Sequence, residues 1–400
     1  MLADYDVVIV GGGMVGGCLA LALSRSALRV AIIEAQSLDS TVNNDAGKRA
    51  IALSWGSRCL LDQLGIWDVL QTSSVPIEHI HVSDKGHFGK TRLSAKSQSV
   101  DALGYVVAAE QIELVVNAAL VKAKVDVFSP AELLEYQVTD DVVNVRIQQQ
   151  AKEQKISCRL LVGADGGSSA VREQGCFELR EQAYKQRAIT AQLRVESDRR
   201  NIAYERFTAE GPIAMLPHFN NTYSLVWTMP TELAKQVLQL PEKEFIAKLQ
   251  QQFGQWLGEL SLLGDCQFFP LSLSYVPQTV ADRVVLIGNA AHQLHPVAGQ
   301  GFNLGLRDAA TLADVLMSAQ DDVGADEVLA LYADQRQFDQ SLIVGFTDKI
   351  VKIFSTDNSV FSVLRNSGLL LMDKCPTLKN QFAQQTMGLV SRLPRIKEES

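Results

Sequence analysis

The sequence lacks the marks of several protein classes. Its six cysteines (Cys18, Cys59, Cys158, Cys176, Cys266 and Cys375) are scattered through 400 residues, with no CxxC pair and no histidine at zinc-finger spacing. A disulfide scaffold belongs to a much smaller secreted chain, so they read as reduced thiols, and no metal site is expected. Basic residues are outnumbered, 37 Lys and Arg against 45 Asp and Glu, for a net charge of -8. That balance argues against a broad nucleic-acid surface, which needs clustered cations. Long apolar runs are missing too. Val7 to Ser24 carries no charge, but five glycines interrupt it, and Asp4 and Asp6 stand where a signal peptide would place Lys or Arg. No other stretch reaches the roughly 18 apolar residues that a spanning helix needs. The expected location is cytoplasmic, at most peripheral at the inner face of the cytoplasmic membrane.

What is present is a folded composition, 47% hydrophobic and 20% charged, long enough for about two to three domains. Tyr5 to Val10 (YDVVIV) is a β-rich apolar run suited to the centre of a parallel sheet. Glycines follow, then a small-residue helix over Val15 to Ser24 and a second buried strand over Arg29 to Ile33, together a βαβ unit. Arg49 to Leu64 has helical spacing and a stop at Gly65. Pro76 to Ser99 reads as strands or loop, Gln111 to Lys124 as helix, and Val142 to Ile147 and Ile156 to Val162 as strands. Alternation from Ala188 to Trp227, rich in aromatics, predicts an antiparallel sheet in a second domain. Glu242 to Leu257, Leu304 to Leu316 and Leu329 to Phe354 are helical, the last with an apolar row at Phe338, Leu342, Phe346, Ile350 and Phe354. Arg283 to Ile287 is a further buried strand.

Three motifs carry chemistry. In the first, Gly11 permits a tight turn, Gly13 lets backbone approach a pyrophosphate and Gly16 lets helix and strand pack closely. Phosphates then sit on the helix N-terminus, and Glu34, ending the second strand, is the acid expected to accept the ribose hydroxyls. The second motif, Gly163 to Gly166, places Asp165 at the end of a buried strand, where α/β folds bind ligands, although a plain Asp-Gly turn gives the same pattern. The third runs from Gly288 to Asn303. It joins a strand end, His292, His295 and Pro296 to a Gly299-Gln300-Gly301 turn, whose backbone N–H groups open a helix towards an anion. His292 and His295 have no third ligand nearby, which favours hydrogen bonding and packing over metal binding.

These motifs in this order, GGGMVGG with Glu34, GADGGSSAVR, then GNAAHQLHPVAGQGFN, resemble the aromatic-ring flavin hydroxylases of the para-hydroxybenzoate hydroxylase type. The resemblance covers nearly the whole chain. It is closest to the ubiquinone-biosynthesis hydroxylases, and RAIALS, HVSDKGHFG, ERFTAEGPIAMLP and SLVW resemble the subgroup acting on 2-octaprenyl-6-methoxyphenol. The resemblance implies an α/β fold: a Rossmann-like FAD-binding domain with a mixed sheet over 1–74, 101–180 and 271–345. A β-rich substrate domain over 75–100 and 181–270 interrupts it, and a helical region follows over 346–400.

It further implies that FAD is the cofactor, that Arg49 lies beside it, that Asp165 serves FAD and a nicotinamide donor, and that Pro296 to Gly301 border the flavin ring. Gly288 and Asn289 stand where the wider family has Gly-Asp, so an amide oxygen replaces the carboxylate expected at the ribityl chain. The implied reaction is hydride transfer to flavin N5, capture of O2 at C4a and oxygen transfer to an electron-rich ring carbon. NAD(P)H is the expected transient donor, since the sequence has no second glycine motif for it. Met215, Pro217, Tyr223 and Trp227 are the candidate substrate contacts, with core packing as the competing role. No residue is singled out as the phenol base; His295 is the candidate by position, beside Pro296. The expected partners are a membrane-dissolved prenylphenol, O2 and other proteins of the pathway, with a homo-oligomer also open. Val360 to Met372 is either a membrane-facing entrance or a helix over the domain interface.

Overall fold

The computed structural model describes residues 3–37, 49–87, 89–123, 125–198, 200–294, 299–354, 374–389 and 394, with side chains to residue 345 in the long helix Asp326–Phe354. Residues 295–298 and 355–373 lie outside that set, and with them His295, Pro296 and the stretch 360–372.

The first sheet is built from buried β-branched runs. Its order is Val280–Ala281, Val284–Leu286, Lys152–Gly163, Tyr5–Val10, Val30–Ile33 and Asp126–Phe128, parallel except for the first pair. Ala131–Val138 and Val143–Gln149 extend it as an antiparallel meander on Lys152–Gly163. Val7, Val8 and Ile9 are fully buried, as expected for a strand covered on both faces. The helix Met14–Leu23 packs on one of these faces with Ala109–Leu120 and Gln300–Ser318. Gly17 makes that approach possible, since a Cβ there would come within 2.4 Å of Val116 Cγ1.

The second sheet has eight strands, in the order His292–Gln293, Leu260–Tyr275, Arg180–Val195, Thr222–Pro230, Ile213–His218, Ile202–Phe207, His79–Asp84 and Lys90–Ser94. One face is closed by the helices Thr231–Leu238 and Glu242–Phe253, whose Ala234, Val237, Phe245, Leu249 and Phe253 share a core with the sheet. The other face looks into a large cavity. A third sheet, Ala50–Ser54, Gly104–Ala108 and Val75–Ile77, joins the two halves. The C-terminal helix Pro376–Thr386 returns to this junction, where Ala383 and Met387 pack against Leu93, Ala95 and Leu103.

Three departures from the sequence expectation have physical causes. Arg49 to Leu64 is not one helix: Ala50–Ser54 pairs with Gly104–Ala108, and the helix Trp55–Gln63 begins only after Ser54, whose side chain caps it by accepting from Ser57 N–H. The 16-residue strand Leu260–Tyr275 carries mixed polar residues and a bulged register, which hide its alternation. In the last long helix the buried face holds Leu329, Tyr332, Arg336, Asp339 and Ile343, while Phe338 is 67% exposed. The polar residues Arg336 and Asp339 turn inward, and Phe338 does not.

Candidate active site

A single cavity of about 1750 Å³ runs from the first glycine turn to the second sheet. That exceeds the roughly 300–1,000 Å³ of a pocket for one small ligand, and its two ends differ in chemistry.

At the first end the turn is held by close backbone contact. Gly11 has φ +99°, and a Cβ on it would lie 2.5 Å from Ala164 O; a Cβ on Gly16 would lie 2.0 Å from Gly11 O. Gly13 meets nothing within 4 Å on its cavity side and opens the helix Met14–Leu23 with no side-chain cap. Free N–H groups and open space coincide there, as a diphosphate requires. Glu34 lines the same space, but its carboxylate also organises the turn, accepting from Gly12 N–H at 2.6 Å and Gln36 N–H at 2.8 Å. Two such bonds leave lone pairs for ribose hydroxyls. Arg49 stands at the rim over the Phe269 ring, 5.4 Å from its centre.

Midway, Asp165 ends its strand at the cavity wall. One carboxylate oxygen accepts from Val171 N–H at 3.2 Å; the other, Oδ1, is buried without a partner. An unsatisfied buried acceptor facing a cavity calls for a donor from a ligand or water. On the same cavity, Gly299 has φ +59° and starts the 19-residue helix Gln300–Ser318, again without a side-chain cap, so its first turn presents N–H groups such as those of Gly301 and Phe302 that lie outside the helix's own bonding pattern. Asn289 is exposed to the cavity. Gly288 serves packing: with φ +59° it approaches Val15, a Cβ on it falling 3.1 Å from Val15 Cγ1.

Asn303 ties the helix start to the strand Ala50–Ser54. Its side chain is 1% exposed and fully engaged: Oδ1 accepts from Ser54 N–H and Ser57 Oγ–H, while Nδ2 donates to Ala52 O and Gly299 O. All four bonding positions of the amide are used. Asn303 thus positions the helix start against Ala50–Ser54, its side-chain amide bonded to protein groups while the residue borders the cavity.

At the second end the sheet forms the floor. One rank runs Thr190, Val226, Ala214, Glu205, Val82 and Thr91 across six strands. The next holds Gln192, Ser224, Leu216, Ala203, Ile80 and Leu93, and every residue of both ranks lines the cavity. Met215, Pro217, Tyr223 and Trp227, the expected substrate contacts, occupy the alternate positions and face the other way. Met215, Tyr223 and Trp227 are 0–2% exposed in the core beneath the helices, and Tyr223 donates its hydroxyl to Ile202 O. The cause is the period of two along a strand. Large side chains fill the helix-covered face, and small ones such as Ala203 and Ala214 leave the cavity its room. That alternation of size was the available sequence signal.

Behind the third motif lies a buried charge cluster. Asp308 is fully buried; it accepts from Arg336 Nε at 2.8 Å and Gln340 Nε2 at 3.0 Å, shares a 2.5 Å hydrogen bond with His292 Nε2, and receives Gly288 N–H at 3.3 Å. Burial opposes its ionisation, but His292 and Arg336 hold the carboxyl well below the usual carboxylate range. Asp339 joins Arg336 to Arg307. His292 is therefore a fixture of the Gly288 turn. No group of His, Cys, Asp and Glu suited to a metal ion occurs among the described residues.

Comparison with known proteins agrees with this geometry. Residues 4–346 match the family model described as FAD binding domain. The chain is 34% identical over 398 residues to the ubiquinone hydroxylase UbiL of Rhodospirillum rubrum, covering 97% of this chain and 91% of that protein. It is 30% identical to the 3-demethoxyubiquinol 3-hydroxylase of Escherichia coli, covering 96% and 98%. In fold it resembles the p-nitrophenol 4-monooxygenase PnpA of Pseudomonas putida, with a TM-score of 0.79 at 18% identity over 98% of this chain and all of that one. The open cradle at Gly13, the unpartnered Asp165 oxygen and the uncapped helix at Gly299 all fit the cofactor of that family, and the chain belongs to the FAD-dependent hydroxylases of ubiquinone biosynthesis.

Proposed function

We propose that this monooxygenase hydroxylates the aromatic ring of a prenylated phenol of the 2-octaprenyl-6-methoxyphenol type. The observation that carries the reading is the continuity of the cavity: a dinucleotide cradle opens directly onto a floor of Ile80, Val82, Leu93, Ala203, Leu216 and Val226. A dinucleotide at one end leaves an apolar chamber at the other, suited to a substituted ring and the start of its tail. Bound FAD supplies the redox chemistry and the activation of O2.

The chain's residues do the rest. The Gly13 helix start would hold the diphosphate, Glu34 the ribose, and Asn289 with Asp165 the chain that leads to the flavin. The N–H groups at Gly299 to Phe302 would face the flavin's negatively charged edge when it is reduced. The apolar floor would orient the ring and keep water from the reacting centre. His295 and Pro296 are carried forward by the family motif as residues beside the ring.

NAD(P)H is the proposed reductant, binding transiently at the cavity mouth. The prenyl tail would reach the cavity from a membrane surface or from a partner protein. Among the described residues no helix is long and apolar enough to cross a membrane.

Anaerobic mixing of FAD-loaded protein with NADH or NADPH tests the reading. Flavin bleaching should be accelerated by a 2-prenyl-6-methoxyphenol, and admission of air should yield a ring-hydroxylated product. A product hydroxylated at a different carbon from the 2-octaprenyl-6-methoxyphenol hydroxylases would assign the protein to a sister reaction, and turnover without O2 would make it a reductase.

A further inference from the structure

The two ranks of the cavity floor contain twelve side chains, and eleven of them are apolar, hydroxyl or amide. The twelfth is Glu205. It stands near the middle of the floor, flanked across the sheet by Val82 on His79–Asp84 and Ala214 on Ile213–His218. Both neighbours are too short to cover a carboxylate, at cross-strand spacings of about 4.5–5.5 Å. On its own strand Ala203 and Phe207 share its face. No hydrogen bond or ion pair engages Glu205 among the described residues.

The nearby ionisable groups are occupied elsewhere. Arg206 lies on the opposite face, donating to Gln252 O and Ser83 Oγ. His81 packs edge-on against Tyr204 on that face, and Arg92 alternates with the floor residues Thr91 and Leu93. Asp84, at the strand's end, pairs with His87. Asp265 and Cys266 lie in the bulge of Leu260–Tyr275, four strands from Glu205 in the same sheet, and Arg49 stands over Phe269 of that strand. An unpaired carboxylate on an apolar floor costs stability, so its presence there calls for a role.

We propose that Glu205 receives the hydroxyl of the aromatic substrate, accepting it in a hydrogen bond and taking its proton as the ring is made electron-rich. This rests on the reading of the substrate as a phenol. In the step the phenolic O–H bond breaks, its electron pair stays on the phenolate oxygen, and the proton ends on a Glu205 carboxylate oxygen; nothing is oxidised or reduced. Burial alone raises the Glu205 carboxyl to about 7. That brings it closer to a phenol at about 10 and makes it a better base than an ordinary glutamate. Floor and base coincide, so the residue that orients the ring also sets the ring's electron density.

The test compares 2-geranylphenol with its methyl ether, 2-geranylanisole, titrated into FAD-loaded protein between pH 6 and 8 and followed by perturbation of the flavin spectrum. In the wild type the phenol should bind about tenfold more tightly at pH 8 than at pH 6, because only the ionised carboxylate is a strong acceptor; the ether should show no such change. Glu205→Gln should abolish the pH dependence for the phenol and remove the rise in hydroxylation through about pH 7, while Glu205→Asp should keep a rise with a displaced midpoint. Equal pH dependence in wild type and Glu205→Gln, with the wild type still hydroxylating, overturns the role of Glu205 and leaves the enzyme's function standing. If neither probe perturbs the flavin and no product forms, the phenol reading fails and this inference with it. Should Glu205→Gln not retain flavin, Glu205→Asp decides, and a midpoint identical to wild type overturns the proposal.

Discussion

Glu34 holds the Gly12 and Gln36 amides while facing the cradle, so its removal loosens the turn as well as losing the proposed ribose acceptor. Hydrogen bonds to a charged group are worth about 1.5–3 kcal/mol each. Glu34→Ala should therefore weaken FAD retention at least about tenfold, measured as flavin content after gel filtration and as Kd by fluorescence quenching; unchanged retention would count against the nucleotide assignment. The turn at Gly11 and Gly13 and the nearness of Glu34 to it were legible in the sequence because they follow from local chain geometry. The bonds of Asn303 and the cavity position of Glu205 were not. Asn303 bonds Ser54, some 250 positions away, and no local pattern reports such a pairing. Glu205 stands one residue from fully buried Tyr204, and only the phase of the strand separates core from cavity.

That phase matters at the scale of elements. The strand run from Ala188 to Trp227 was legible as antiparallel sheet, but its sequence left Met215, Pro217, Tyr223 and Trp227 open between substrate contact and core packing, and Met215, Tyr223 and Trp227 lie in the core. Two substitutions on neighbouring strands should separate the faces. Trp227→Ala, in the core beneath Phe245, should cost about 3–5 kcal/mol of stability in denaturant titrations. Leu216→Trp, on the floor, should leave stability within about 1 kcal/mol and reduce affinity for the prenylphenol. The start of Gln300–Ser318 is a second test. Gly299→Ala places a Cβ in the left-handed region, 3.1 Å from Ala52 Cβ. It should cost about 1–3 kcal/mol and, with the flavin placed as proposed, make its midpoint potential more negative.

Across the whole molecule, the two halves meet at the third sheet, and the Gly288 turn is tied to the last long helix through Asp308. The sequence favoured a hydrogen-bonding role for His292 without naming its partner; that partner is a carboxylate 16 residues on, brought there by helix packing. Because Asp308 is held below the usual carboxylate range, its contribution to stability is present above about pH 4 and lost as pH falls through its lowered folded value. Asp308→Asn should leave Arg336 and His292 without their counter-charge and destabilise by about 3–5 kcal/mol, with flavin loss on heating at a lower temperature than in wild type. The strands of the first sheet were legible because each strand-loop-helix motif keeps its own signature even when strands of the second sheet lie between them in the chain. The continuity of the cavity was not, since it arises only where the first sheet, the helix Gln300–Ser318 and the second sheet converge.

The central claim, an FAD-dependent oxygenase acting on a prenylphenol ring, is tested most directly by turnover under 18O2 with NAD(P)H, FAD-loaded protein and a short-chain 2-prenyl-6-methoxyphenol, followed by mass spectrometry of the product. The expected result is one 18O atom on a ring carbon and no product without oxygen. Product formed anaerobically, or a new hydroxyl carrying oxygen from water, would contradict it.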